Sequence, residues 1–425
     1  MALLPLDLDA ARAGPLPDGG ARRRRHRRGP ARPLRGHRPP RRERIPPLRR
    51  RRTVRLGRAG EVGLERWFAA QGAPPRIDLA RSGAAPLSVG GLLALAGAGA
   101  VEEYLGLSLD YGDGRGGERL RAAVAAAGAA RRPAEVVVTQ GAVEAMLLAC
   151  AAVAGPGDTV VVGTPAYGGM LRAPEAAGAA VVAVPVWRPG SARLDLGPIL
   201  DGLPAGTRAV LVNSPHNPTG AVVDPAELDA LAARCAAAGA VLVVDEVARG
   251  TLDPAAPSLS TSAAFETGAV VAIGDVSKAF GLGGLRVGWL SSARPALLDR
   301  VAALKDLTTL GTPGPSELLA ALALEHRGAL APRVAAIAGA NLDLLAGWTA
   351  GIPGAELTPP RDGLVAFPRL PDSIAAPSRL ERLRRAAGVA AVPGALFGVP
   401  GRVRLALGGR PAHLAEALAA MAAGC

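Results

Sequence analysis

Lysine is almost missing from this chain. Its 425 residues contain only Lys278 and Lys305, and arginine supplies the rest of the 49 basic groups. Where arginine has so widely replaced lysine, each surviving lysine is a candidate for chemistry that a guanidinium cannot perform. Cysteine is scarce as well. Cys150, Cys235 and Cys425 lie far apart and are odd in number, which excludes a disulfide framework and gives no zinc-ligand spacing. No metal is expected, and a reducing cytoplasm is the expected compartment. Long hydrophobic runs are absent too: the longest, Leu87 to Val101, is shorter than the roughly 20 residues of a membrane helix. Asp7 and Asp9 interrupt the early apolar residues, so no secretory signal fits and no membrane partner is expected.

Positive charge is abundant, but in one place. The formal net charge is +13, yet residues 1–60 hold 19 arginines against Asp7, Asp9, Asp18 and Glu43, leaving 30 basic and 32 acidic groups in the remainder. The body is therefore nearly neutral, and nucleic acid is not its expected partner. The segment 1–60 mixes arginine runs such as Arg22 to Arg25 with scattered proline and has no apolar period that could build a core. It reads as a disordered basic extension.

From about Glu61 short apolar runs alternate with Ala- and Leu-rich stretches of helical length, the pattern of an α/β fold. Strands are expected at Glu135 to Thr139, Thr159 to Val162, Val181 to Val184, Ala209 to Asn213, Val241 to Val244, Val270 to Ile273 and Val287 to Leu290. Runs that are apolar on both faces belong inside a mostly parallel sheet covered by helices. Helices are expected over Ala142 to Ala152 and Pro225 to Ala238. A mostly helical region then runs from Pro295 to Trp348, and its first stretch, Pro295 to Leu307, reads as an exposed amphipathic helix with Lys305 in solvent. Two more strands, Gly363 to Phe367 and Arg402 to Leu407, precede a last helix, His413 to Ala423. The expected domains are 101–300, a large one with a seven-stranded type of sheet, and 301–425, a smaller α+β one to which residues 61–100 contribute.

The richest segment runs from Gly274 through Asp275, Ser277 and Lys278 to Arg286 and Gly288. A lysine placed just after a buried strand is desolvated, which lowers an amine's pKa and suits it to a Schiff base. The glycines that follow permit close backbone approach, and Arg286 can serve a phosphate as a bidentate donor. At Gly141 a helix opens directly after a strand and points backbone N–H groups at an anion.

These segments, in this order, resemble class I and II aminotransferases, fold-type-I enzymes that use pyridoxal phosphate. The likeness also takes in Gly141-Ala142-Val143, Pro165-Ala166-Tyr167, Asn213 to Gly220, Val243 to Val247 and Val403-Arg404-Leu405. It implies that Lys278 carries the cofactor and moves the α-proton, and that Asp245 holds the pyridine nitrogen protonated. Asn217 would donate to the cofactor's phenolate oxygen beside the substrate, Tyr167 would stack on the ring, and Arg286 with the N–H groups of Gly141, Ala142 and Val143 would hold the phosphate. Arg404 would clamp the substrate carboxylate, with Arg402 and Arg410 close enough in sequence to compete for that role. Tyr111 resembles a tyrosine that reaches the phosphate across a homodimer interface.

Three positions depart from the family pattern: Ala248 stands where a tyrosine usually supports the phenolate, Val143 where a serine or threonine usually binds phosphate, and Asp275 where another often does. The resemblance implies an enzyme that moves an amino group between an amino acid and a 2-oxo acid. The alternatives are a cyclase or lyase on the same cofactor and a non-catalytic or regulatory cofactor-binding protein. Leu64-Glu65-Arg66-Trp67, Ser82-Gly83 and Leu87-Ser88 loosely resemble capreomycidine-synthase-like proteins, which cyclise a hydroxylated arginine.

Overall fold

Valine-rich segments bury both faces of a strand, and seven of them build the central sheet. They are β1 (Val136–Thr139), β2 (Thr159–Thr164), β3 (Ala180–Pro185), β4 (Thr207–Asn213), β5 (Val241–Asp245), β6 (Val270–Asp275) and β7 (Gly288–Ser291). A computed structural model describes residues 59–423. The expectation of a disordered basic extension therefore falls outside the described residues, apart from Ala59 and Gly60. All seven expected strands are present, with boundaries within two residues of those read from the sequence. Their spatial order is β1-β7-β6-β5-β4-β2-β3. Neighbours run parallel except β7, which is antiparallel to both β1 and β6.

Alternation along each strand sorts side chains into two layers. Val161, Val210, Val212, Leu242 and Val244 pack with Leu228, Leu231 and Cys235 of the helix Pro225–Ala237. Their neighbours Val160, Val162, Leu211, Val243 and Ile273 pack on the opposite side, against α1 (Ala142–Val153), α2 (Gly168–Ala176) and α3, the later helix Pro295–Lys305. Helices thus cover both faces of a mostly parallel sheet, the arrangement expected of a strand set with no polar face.

A second, smaller sheet of three antiparallel strands, β8 (Val365–Ala366), β9 (Val392–Pro393) and β10 (Val403–Ala406), lies in the C-terminal part in the order β9-β10-β8. The N-terminal segment joins this region through a short parallel pairing of Ile77 and Asp78 with Val389 and Ala390. The 24-residue helix Arg327–Ala350 is long and apolar enough to cross a membrane by length and composition alone, although Arg333 and Asp343 interrupt its apolar runs. In the fold it sets Ala338 and Leu345 into the C-terminal core.

One expectation is corrected. Lys305 ends α3 with its side chain fully buried, and its Nζ donates to the Gly114 carbonyl at 2.7 Å. The sequence pattern showed an amphipathic helix but not that the loop 113–117 closes over its last turn.

Candidate active site

Parallel neighbours end at the same edge of a sheet, so residues distant in sequence meet there. β4, β5 and β6 end in Asn213, Asp245 and Asp275. Asn213 Nδ2 donates to the Asp245 carbonyl at 2.8 Å, while Asn213 Oδ1 accepts from the Asn217 amide at 2.6 Å. These bonds fold the loop after β4 back over β5 and present Asn217. The Asp245 carboxyl is buried, which pushes its pKa up to about 7 against the opposing pull of the Val247 amide and Lys278.

Lys278 follows β6 at the same edge and is half-buried. Desolvation lowers its amine below the ordinary lysine range; the Asp275 carboxylate opposes this, and the Arg404 cation adds to it. Such an amine is a better nucleophile at neutral pH than a solvated one. Burial also favours the protonated form of Asp275, with Lys278 acting the other way, so this acid is less repulsive to a nearby anion than its position in sequence implied. The Ser277 hydroxyl beside it is buried, and the Ser277 amide donates to Asp275 Oδ1 at 2.8 Å. The strand-like segment before Leu87 straps this region down, with Ala84 N donating to the Lys278 carbonyl at 2.9 Å.

The start of α1 forms an anion cradle. Gly141 adopts φ +76° and offers no side-chain cap, so the first N–H groups of the helix stay free for a ligand. Arg286, itself left-handed at φ +53°, reaches over the same turn. A Cβ on Gly141 would collide with its guanidinium, and one on Gly288 would come within 2.6 Å of Ala142 N. Glycine at these two positions lets the guanidinium and the helix N-terminus share one small volume. Val143 contributes its backbone only, because its side chain is half-exposed.

Facing this cradle is a wall made from distant segments. Arg404 on β10 is 1% exposed and donates from Nη1 to Asn217 Oδ1 at 2.8 Å and from Nη2 to the Ala80 carbonyl at 2.6 Å. Because arginine can only donate, the contact fixes the amide orientation of Asn217 and leaves Nδ2 available as a donor. Arg404 Nε is buried without a partner. Burial brings the guanidinium pKa down to about 10, with Glu65 the leading opposing charge. Tyr167, at the start of α2, donates its hydroxyl to Glu65 Oε1 at 2.9 Å. Burial, then the Glu65 charge, pushes that phenol above its ordinary pKa.

The structure thus brings together Gly141, Ala142, Tyr167, Asn217, Asp245, Lys278, Arg286 and Arg404. Tyr111 stands apart, 88% exposed, bonded through its amide to Asp110. Arg402 is turned away and stacks 5.1 Å from the Trp187 ring centroid. Ala248 places a methyl group beside Gly363 and supplies no hydroxyl. Sequence reasoning missed Glu65 as a site residue and His216 as a brace. The first stood in the Leu64-Glu65-Arg66-Trp67 likeness with no role assigned to it, and the second sat inside a motif read only for Asn217.

Residues 106–421 match the family described as aminotransferase class I and II. The chain belongs to this family. It is 36% identical to capreomycidine synthase from Streptomyces vinaceus over 84% of this chain and 92% of that one. It is 30% identical to an arginine–pyruvate transaminase from Pseudomonas aeruginosa over 72% and 80% of the two chains. Among solved structures, the pyridoxal phosphate-dependent cyclase OrfR superposes with a TM-score of 0.77 at 33% identity, covering 89% of this chain and 98% of that one. A pyridoxal phosphate-dependent aminotransferase from Streptococcus suis gives 0.79 at 25% identity, covering 86% and 97%. The fold is fold-type I, the cofactor is pyridoxal phosphate, and the protein is an enzyme of this cofactor class.

The residues present fit that cofactor. The glycine-lined helix start with Arg286 suits a phosphate, the buried Asp245 carboxyl suits a protonated ring nitrogen, and Lys278 has a depressed pKa.

Proposed function

We propose that the chain is a pyridoxal phosphate-dependent cyclase acting on an amino acid with a guanidinium side chain. The observation that carries this reading is Glu65. Its carboxylate is tethered to Tyr167 and is one of the charges acting on Lys278 and Arg404. An anionic group on the same wall as the carboxylate clamp suits a substrate that carries a cation as well as its carboxylate.

In this reading Gly141, Ala142, Val143 and Arg286 hold the cofactor phosphate, Asp245 its ring nitrogen, Tyr167 its ring face, and Asn217 Nδ2 its phenolate oxygen. Bound there, pyridoxal phosphate supplies an electron sink next to the substrate Cα. Arg404 orients the substrate through its carboxylate, and Lys278 Nζ takes and returns the proton at Cα. Glu65 holds the guanidinium so that one of its nitrogens reaches Cβ. With a hydroxyl on Cβ, the C–O bond breaks, the oxygen leaves as water, and a Cβ–N bond closes the ring. Similarity to both a cyclase and an arginine–pyruvate transaminase supports the substrate class, and the longer match with capreomycidine synthase favours ring closure. Ala248, which gives the phenolate no tyrosine donor, fits a reaction other than ordinary transamination.

The test is incubation of the protein with pyridoxal phosphate and a β-hydroxylated arginine, without any 2-oxo acid. The expected product is lighter by one water and keeps every nitrogen. If nothing happens until pyruvate is added, and alanine then forms, the reaction is transamination. That second reading, the transfer of an amino group to a 2-oxo acid, is supported by the match to the arginine–pyruvate transaminase.

The active unit in this proposal is a homodimer. Leu105, Leu109, Tyr111 and Leu307 are each more than 75% exposed. The segments carrying them approach where a Cβ on Gly114 would lie 3.4 Å from the Leu310 carbonyl. An apolar face of this kind suits a second copy of the chain.

A further inference from the structure

The second lysine has no place in the chemistry above, yet its side chain is among the largest fully buried ones. We propose that Lys305 is a positioning residue whose ammonium pins the loop 113–117 to the end of α3 and so holds the start of α1 and the Tyr111 face in one fixed block. The phosphate half of this inference rests on the reading of Gly141 and Arg286 as the cofactor's cradle; the pinning itself does not.

Three consecutive carbonyls of the loop are each taken by a different element. Gly114 O accepts from Lys305 Nζ at 2.7 Å, Arg115 O from the Val138 amide of β1 at 2.9 Å, and Gly116 O from Arg121 Nε at 2.9 Å. The Gly117 amide donates to Glu317 Oε2 at 2.7 Å. Two side chains tie the loop to α3, the exposed ion pair of Arg115 with Asp299 and the buried ammonium of Lys305. On its other side, the Lys305 carbonyl accepts the amides of Thr308, Thr309 and Leu310. That turn sets the hydroxyls of Thr308 and Thr309 on Glu144 Oε1 at 2.5 and 2.9 Å, while Glu144 Oε2 accepts from the Gln140 amide at 2.6 Å. Gln140 immediately precedes the cradle glycine, so one residue, Lys305, through its carbonyl on one side and its ammonium on the other, links the cradle to the loop that follows Tyr111.

The environment explains why lysine survives here. Glu144, Glu317, Asp113 and Asp306 are the charges that act on the ammonium, and a buried cation persists only where such partners offset its desolvation. A fully enclosed spot with one carbonyl in reach accepts a compact ammonium, whereas a planar guanidinium with five N–H groups would leave most of them unpaired.

The test is site-resolved hydrogen exchange on the cofactor-free full chain carrying Lys305→Met, which keeps the stem and removes the charge and donor. The amides of Gly117, Val138 and Gln140 should exchange faster by about tenfold or more, the scale of one lost charge-assisted hydrogen bond. Amides of the C-terminal sheet should stay unchanged. Pyridoxal phosphate should bind correspondingly more weakly. Asn341→Ala, which removes donors to the Leu407 and Gly409 carbonyls, serves as a destabilised comparison and should leave those three amides alone. Unchanged exchange at the three amides, or a uniform rise across the chain, would overturn the proposal. Should Lys305→Met not fold, Lys305→Gln, which keeps a donor without charge, carries the same test. If Arg286→Ala leaves cofactor affinity intact, the cradle reading fails, while the exchange result still decides the role of Lys305.

Discussion

The two walls of the site are built in different ways. The cofactor-facing wall comes from the ends of adjacent parallel strands and the turns that follow them, so Asn213, Asp245 and Lys278 are placed by sheet register. The opposite wall has no such frame. Glu65, Ala80, Tyr167 and Arg404 come from four separate segments, joined by the Tyr167–Glu65 and Arg404–Ala80 hydrogen bonds and, between the segments of Ala80 and Arg404, by the Ala406 amide on the Leu79 carbonyl. In the proposed reading the cofactor contacts other than that of Tyr167 fall on the rigid wall, and the substrate contacts of Glu65 and Arg404 fall on the wall assembled by long-range packing.

The strongest way to break this division is at Lys278. Lys278→Ala should abolish the borohydride-reducible visible band and lower turnover by several orders of magnitude, because the covalent anchor and the proton carrier are lost together. Lys305→Ala should leave that band in place, since its amine is turned to Gly114 and away from the cradle. Finding the reduced cofactor on Lys305 would end the assignment.

The next effect belongs to Arg404. Loss of a buried charged fork should raise KM by roughly a hundredfold, equivalent to about 3 kcal/mol. The sequence alone gave this arginine no influence on the cofactor. Its bond to Asn217 Oδ1 now implies a second, smaller outcome: Arg404→Ala should shift the visible maximum of the bound cofactor, because Asn217 loses the contact that orients it. An unshifted spectrum would return Arg404 to the substrate wall alone.

Glu65→Gln sharpens the comparison further. Glutamine can still accept from the Tyr167 hydroxyl while removing the charge, so cofactor affinity should hold. KM for a guanidinium substrate should rise by about tenfold, the scale of one partly exposed charged contact. Equal KM changes for a neutral amino acid of similar length would show that Glu65 acts by shape rather than charge.

How much of this was legible follows from the same contrast. The seven strands could be read because Val160 to Val162 and Val241 to Val244 are apolar on both faces, which only an interior strand tolerates. The positions of Gly141, Asp245 and Lys278 could be read because a strand end fixes where the next residues go. Glu65 could not, because its helix Gly63–Ala70 has no side-chain cap and places Glu65 at the site by packing Leu64 into a core made of distant strands. Lys305 was misread for a related reason. Periodicity reports which face of a helix is apolar, but a loop some 190 residues earlier in sequence covers its last turn.

The smallest expected effect concerns His216, which braces one wall against the other without touching substrate. Its Nε2 lies 2.7 Å from the Pro165 carbonyl, an atom that can only accept, so Nε2 carries the proton. Nδ1 then accepts from the Thr219 hydroxyl at 2.8 Å, and that oxygen in turn accepts from the Ala221 amide at 3.2 Å. This chain ties the Asn217 turn to the segment before Tyr167 and has no room for a second ring proton. Burial accordingly lowers the histidine pKa to about 4, with the Pro165 contact opposing. A depressed folded pKa means that the unfolded chain binds more protons between about 6.5 and 4, so this stability is fully present above that window and is lost as pH falls through it. Asp245 has the opposite sign: its carboxyl is raised to about 7, so its contribution is lost as pH rises through the same region and partly masks the histidine. The informative quantity is therefore the difference between the wild type and His216→Gln in urea unfolding of the cofactor-free protein. The stability advantage of the wild type should shrink by no more than about 3 kcal/mol from pH 6.5 to pH 4. A difference independent of pH would mean that the ring is not held neutral by this chain of bonds.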